Sequence, residues 1–275
     1  MIRKPVVFLF LIYLAPAIVV GDVIDFELTP AGVIPVDDSP LSRTEPYSSD
    51  GIAVTFGFDT NNDGVVDTDA VFEHRGNDSN NGFFSSFGTD TMDTEREDSP
   101  LTLGDYFLRA PGAFNVPGDF WITYDAEVTA VSGEIWDIDG FSGTSEQWRV
   151  SAFDGNDNLV ASLDSPAGLD NANASSLDSL AWVFSLEGEN IRRVKIEFIG
   201  TSPTNSIGLA FDNYNATTGI RLGDVNLDGS VNLLDVAPFI ELITTGMFQA
   251  EADVNQDGVV NLLDVQPFVA LLSGG

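Results

Sequence analysis

The chain closes by saying one phrase twice. "DVNLDGSVNLLDVAPF" begins at Asp224 and "DVNQDGVVNLLDVQPF" at Asp253, and the register, 253 − 224 = 29 positions apart, holds without a gap to Gly246 and Gly275. Each copy sets oxygen-bearing side chains in the order D-x-N-x-D-G-x-x-N-x-x-D. These are Asp224, Asn226, Asp228, Asn232 and Asp235, then Asp253, Asn255, Asp257, Asn261 and Asp264, with Gly229 and Gly258 at the sixth place. This is the spacing by which an EF-hand type loop gathers oxygens from positions 1, 3, 5, 7, 9 and 12 around one Ca²⁺. The ion is hard and takes about 6–8 oxygens at roughly 2.3–2.6 Å, so Asp and Asn serve where His and Cys do not. Glycine at position six permits the sharp turn that brings early and late donors together. Position seven, Ser230 and Val259, offers only its backbone carbonyl, which leaves its side chain free to differ.

Each loop runs into an apolar stretch at helical spacing: Val236, Phe239, Ile240 and Ile243, then Val265, Phe268, Val269 and Leu272. Gly246 is placed to stop the first helix. Pro238 and Pro267 fit only in a first turn, which puts Asp235 and Asp264 at or near the N-cap. An ordinary EF-hand also has a helix before its loop, and here only "GIRLG" precedes Asp224. Two such loop-plus-one-helix units, closed by Asp, resemble the type I dockerin family over Leu222–Gly275. The resemblance implies two bound Ca²⁺ ions, a pseudo-twofold pair of helices, and docking to a cohesin-like module on another protein or at the cell surface. It also implies an extracellular setting in polysaccharide metabolism. At the two residues before the last ligand, cellulosomal dockerins commonly carry small hydroxyl residues that read the cohesin. This chain has Leu233–Leu234 and Leu262–Leu263 there. The leucines are expected to pack the two halves together; the alternative is an apolar docking patch.

From Asp22 to about Asn215 the apolar period changes to two. "RRVKIEFIG" alternates Val194, Ile196 and Phe198 against Arg193, Lys195 and Glu197, and "EQWRVSAFD" sets Trp148 and Val150 against Gln147 and Arg149. "VIDFEL", "GIAVTFGF", "FWITYDAE", "LAWVFSL" and "IGLAFDNY" read alike, and "DGNDN" reads as a hairpin turn. Many short strands without a long amphipathic helix predict a mainly β fold: a jelly-roll-like β-sandwich over 22–215, a linker at 216–221, and a small all-α domain over 222–275. "IDFE", "AFDNYN" and "AFDGNDN" make the body similar to jelly-roll modules of secreted bacterial surface proteins, some of them carbohydrate-binding, which implies architecture alone. A third calcium phrase, "DTNNDGVVDTD", sits inside it with Asp59, Asn61, Asp63, Gly64, Asp67 and Asp69. Its twelfth position is Ala70, so Asp69 or a distant carboxylate must close the shell. The bland reading is a polar hairpin tip.

Arg3 and Lys4 precede an apolar run from Val6, followed by small residues at Ala15, Ala17 and Gly21, the pattern of a signal peptide over residues 1–21. A net charge of −32 argues against nucleic acid and anionic membranes and favours divalent cations. With no Cys, disulfides, zinc–thiolate sites and thiol nucleophiles are out. His74 is the single histidine and no G-x-S-x-G supports a triad. The catalytic candidates are Glu134, Asp137 and Asp139 in "GEIWDIDG", with Glu146 nearby, since a glycosidase needs paired carboxylates. On a regular strand Asp137 and Asp139 share one face and Glu134 takes the other, so a pair requires a bulge. The expected function is a non-catalytic, calcium-binding secreted module that binds carbohydrate or a surface component and docks to a cohesin-like partner. The alternative is a dockerin-borne glycoside hydrolase.

Overall fold

The computed structural model describes residues 23–49, 51–76, 95–97, 99–112, 118–140, 143–169, 177–202, 207–219, 221–227 and 231–273. The expected signal peptide lies outside them. Among the described residues twelve strands come first: β1 Pro40–Leu41, β2 Tyr47–Ser49, β3 Ile52–Asp59, β4 Ala70–His74, β5 Tyr106–Arg109, β6 Asp119–Ile138, β7 Ser145–Glu146, β8 Trp148–Phe153, β9 Leu159–Asp164, β10 Gly168–Leu169, β11 Leu177–Phe198 and β12 Ala210–Thr217. Two helices follow, α1 Val236–Thr245 and α2 Val265–Leu272. Every strand pairing among them is antiparallel.

Two long strands organise the sandwich. β6 and β11 pair with each other from Phe120↔Ile196 to Ile138↔Leu177, but their outer neighbours change part-way. Residues 119–124 of β6 pair with β3 while 130–136 pair with β12, and residues 193–198 of β11 pair with β8. One layer is therefore β2-β3-β6-β11-β8-β9 and the other β1-β4-β5-β12-β6-β11, with the two long strands shared. The changeover coincides with register shifts around Ile191, where Asn190 takes φ 61° and the extra residues bend the strand. The sequence reads "LAWVFSL" and "RRVKIEFIG" as separate strands. The structure joins them, because "EGEN" forms a bulge and both flanks keep β6 as their partner.

The core follows the predicted alternation. Phe56, Phe58, Phe120, Trp148, Val150 and Ile196 of the first layer pack against Ile135, Phe184, Phe211 and Tyr214 of the second. Phe120 stacks on Phe211 at 4.6 Å, Phe56 reaches Tyr214 at 5.4 Å, and Trp148 meets Phe211 edge-on at 6.5 Å. Gly133 makes room for this: a Cβ there would lie 2.6 Å from the Tyr214 ring. β12 runs to Thr217 and buries Ala216, so the sandwich takes in two residues of the expected linker.

The repeats have their own core of Val225, Phe239, Ala252, Val260 and Phe268, with the Phe239 and Phe268 rings stacked 4.0 Å apart. Short 3₁₀ turns, Leu233–Asp235 and Leu262–Asp264, feed the helices, and each proline occupies the third helical position, where its missing N–H costs nothing. Gly246 ends α1 at φ 67° and donates its N–H to Leu242 O, as expected of a left-handed C-cap. Because the two cores are separate, Phe211→Ala should destabilise the sandwich by about 3–5 kcal/mol and leave the helical unfolding transition of the repeats unmoved. Denaturant titration followed separately by tryptophan fluorescence and helical circular dichroism checks this, since all four Trp lie in the sandwich.

Candidate metal centre

The second repeat carries its loop in full. Asp253, nearly buried, accepts the Asp257 N–H at 3.1 Å and the Gly258 N–H at 2.8 Å. Asn255 accepts the Asp257 N–H at 2.9 Å, and Asp257 accepts the Val259 N–H at 3.0 Å. Gln256 and Gly258 turn the chain at φ 58° and 86°. At the far end Asp264 is fully buried and accepts the N–H of Asn255 at 3.0 Å and of Asn261 at 2.9 Å, so the last ligand position ties the loop's ends together. Asn261 also caps the following turn by accepting the Leu263 N–H at 2.8 Å. The first repeat does the same: Asp235 accepts from Asn226 at 2.9 Å and Asn232 at 2.8 Å, and Asn232 accepts from Leu234 at 2.8 Å. Asp228 and Ser230 lie outside the described residues.

The chemistry of this donor set fits Ca²⁺. No Lys, Arg or His follows Arg221, while Asp224, Asp228, Asp235, Glu241, Glu251, Asp253, Asp257 and Asp264 are all acidic. Asp235 and Asp264 are buried, and burying carboxylates without a cation costs several kcal/mol each. Carboxylates alone do not complete a site. Among the described residues no three Asp, Glu, His or Cys side chains are placed to hold an ion by themselves, and Asn side chains and backbone carbonyls are the further donors such loops use.

The leucine pairs correct an expectation. Leu233, Leu234, Leu262 and Leu263 are 79%, 67%, 75% and 67% exposed, and they pack no core. Each 3₁₀ turn sends its Asp inward to the loop and its two leucines outward, and the stacked phenylalanines already fill the space between the helices. Ile240 and Val269, equivalent in the two repeats, are also exposed and extend the apolar surface.

The third calcium phrase copies the first half of this geometry. Asp59, buried, accepts from Asp63 at 3.3 Å and Gly64 at 2.7 Å; Asn61 accepts from Asp63 at 2.9 Å; Asp63 accepts from Val65 at 2.9 Å. Asn62 and Gly64 have φ 59° and 85°. The second half departs. Asp67 turns to Thr68 and Thr60, whose hydrogen bonds hold its carboxyl below the usual range, and Asp69 pairs with Arg43 at 2.8 Å. The carboxylate that the register sets beside Asp59 is Asp119, which the local sequence gave no means to find.

The catalytic candidates are split. Glu134, buried, accepts from Trp136 Nε1 and Asn213 Nδ2, each at 3.0 Å, and faces Asp212 across the sheet. Burial, then the neighbouring Glu134 and Asp25, push Asp212 up to about 8. Asp137 sits in a bulge at φ 70° and accepts the Ser179 N–H at 2.8 Å, a structural duty. The bulge lets Asp137 and Asp139 share surroundings with Glu146, which is 2% exposed and which burial, with Asp139 and then Asp137, pushes up to about 10. Glu134, Asp137 and Glu146 are buried, and Asp139 is half-buried. Trp121, Tyr124, Trp136 and Trp148 are buried as well, and Trp182 is half-buried beside Phe184. His74 packs edge-on against Tyr106 at 4.8 Å.

Glu146 gives a signed test. Between its ordinary value of 4.5 and about 10 the folded chain keeps a proton that the unfolded chain loses, so its stability contribution is full below about 4.5 and is lost as pH rises through about 10. Glu146→Gln removes that dependence. At constant calcium the thermal midpoint of the sandwich should fall less in the variant than in the parent between pH 5 and pH 9, and parallel curves would contradict the assignment.

Residues 222–267 match the family model of the dockerin type I domain. No curated protein sequence matches the chain significantly. Among solved structures, the enzymatically active domain of bacteriophage CBA120 tailspike protein 4 is 13% identical with a TM-score of 0.20, the overlap covering 60% of this chain and 18% of that one. A glycoside hydrolase family 43 arabinoxylan arabinofuranohydrolase from Bacillus subtilis is 13% identical with a TM-score of 0.22, over 60% of this chain and 24% of that one. The CBM22-1 xylan-binding domain from Paenibacillus barcinonensis is 12% identical with a TM-score of 0.21, over 52% and 99%. The chain thus spans less than a quarter of the first two, and overlaps this slight do not bear on its function. The duplicated loops, their buried closing aspartates and the family match agree: the C-terminal repeats are a type I dockerin domain, carried behind an N-terminal β-sandwich.

Proposed function

We propose that the chain is a secreted, non-catalytic module that binds carbohydrate or a surface component through its sandwich and attaches to a cohesin-like partner through its dockerin. Residues 1–21 serve as the export signal, 22–217 as the sandwich and 222–275 as the docking domain. Each C-terminal loop holds one Ca²⁺: Asp224, Asn226, Asp228, Asn232 and Asp235 with the Ser230 carbonyl, and Asp253, Asn255, Asp257, Asn261 and Asp264 with the Val259 carbonyl. The loop at Asp59, Asn61 and Asp63 takes a third ion more weakly, because Ala70 stands at its twelfth position, where the repeats have Asp235 and Asp264.

One observation carries the docking assignment: the same turn that aims each closing aspartate at its loop aims two leucines at solvent, twice over. Exposed apolar surface at related positions marks an interaction site. Its coupling to the loops makes docking depend on calcium. A partner for these leucines presents an apolar face in place of the polar one that reads hydroxyl residues, and basic residues around it suit a domain with no cation of its own. The non-catalytic assignment is supported by the burial of Glu134 and Asp137, with the third candidate, Asp139, half-buried next to the buried Glu146.

A type I cohesin module immobilised on a sensor surface is the first probe. Binding should require Ca²⁺, vanish in chelator, and fall at least tenfold when Leu233, Leu234, Leu262 and Leu263 are all changed to Ser. Binding indifferent to chelator, or to the four serines, would contradict the docking assignment. The protein should release no reducing sugar from xylan, mannan or cellulose. Release that Glu134→Gln abolishes would replace the binding reading with the hydrolase.

A further inference from the structure

The outward face of the first layer holds an open groove of about 690 Å³ along β8, β9 and β11. Arg149, Ser151, Phe153, Ser162, Lys195 and Glu197 line it. Their placement follows from alternation: Val150, Ala152, Val194 and Ile196 turn into the core, so the residues between them turn out. The register of β8 with β9 pairs Arg149 with Asp164 and Ser151 with Ser162, and the two-residue repeat along β11 sets Lys195 beside Glu197. Arg149 forks onto Asp164 at 2.6 and 2.9 Å, Lys195 reaches Glu197 at 2.6 Å, and the Ser151 and Ser162 hydroxyls meet at 3.1 Å. Phe153 continues the row as a half-buried ring, 5.8 Å from Trp121, whose own face lies under the Arg193 guanidinium at 4.0 Å.

The charge balance of this face is unusual for the molecule. The chain carries 43 acidic against 11 basic residues, yet here every cation is paired: Arg149 with Asp164, Arg193 with Asp157, and Lys195 with Glu197 and Asp119. An anionic ligand would meet a carboxylate beside each cation and approach a chain of charge −32. A cationic ligand would meet a guanidinium or ammonium group beside each carboxylate. An uncharged hydroxyl suits both members of a pair, since it donates to the spare lone pairs of Asp164 or Glu197 and accepts from an N–H of Arg149 not turned to its partner. The Phe153 ring supplies an apolar surface for the C–H side of a sugar, and the groove's volume lies within the usual range for ligand sites.

We infer that this groove binds an uncharged oligosaccharide chain, held by the paired Arg149–Asp164 and Lys195–Glu197 groups with Phe153 beneath it. The inference rests on the carbohydrate-binding reading above and gives it a site and a ligand charge class. The donors sit on paired strands, so their geometry is set before the ligand arrives.

Calorimetric titration of the full chain in constant Ca²⁺ with cellohexaose, xylohexaose, mannohexaose and polygalacturonate tests it. At least one neutral hexaose should bind and polygalacturonate should not. Ser162→Arg, which fills the groove from an exposed position, and Arg149→Gln should each weaken that binding at least tenfold with the melting temperature within a degree or two of the parent's. Neutral binding that survives both variants would overturn the groove while leaving the carbohydrate-binding reading in place. Binding to no neutral hexaose, with calcium-dependent cohesin docking intact, would overturn both. A preference for polygalacturonate would overturn the uncharged class.

Discussion

The C-terminal domain depends on two buried carboxylates in a stretch of sequence that holds no Lys, Arg or His of its own. Asp235 and Asp264 close their loops by accepting N–H groups from positions three and nine, and the same short turn starts each helix. Hydrogen bonds to a carboxylate ease its burial but do not cancel its charge. With eight acidic residues and no Lys, Arg or His after Arg221, a metal ion is the cation this domain can use. Loop closure, helix start and the outward set of the leucines are therefore one event, and a partner that reads the leucines reads the ion as well.

The sandwich solves a different problem. Two strands of 20 and 22 residues pass through both layers, so that each layer is braced by the other through continuous backbone. The bends that make this possible are bulges, and polar side chains stabilise them: Asp137 holds the amide of Ser179 at one, where a carboxylate of catalytic appearance does structural duty. Within "GEIWDIDG" Asp137 accepts a backbone N–H and Glu134 accepts from the Trp136 and Asn213 side chains.

Much of this was legible in the sequence. Period-two alternation at Val194, Ile196, Trp148 and Val150 placed those side chains in the core, and the duplicated D-x-N-x-D-G phrase placed both loops and both helices. What stayed hidden depends on register between distant strands. Asp212 meets Glu134 and Asp119 meets Asp59 only because antiparallel pairing aligns segments far apart in the chain. The groove of Arg149, Lys195 and Phe153 is hidden for the same reason, since three strands build it. The leucines misled differently: apolar residues at duplicated positions usually pack, and here the 3₁₀ turn points them outward.

The most direct measurement is a calorimetric count of Ca²⁺ bound by chelator-treated protein, with helical circular dichroism followed over the same additions. Two ions are expected, their uptake bringing in the helical signal, with Asp235→Ala and Asp264→Ala each removing one of them, because metal binding and folding of such loops are one free energy. Helices fully formed in chelator, or an ion count unchanged in the Asp235→Ala, Asp264→Ala double variant, would contradict it.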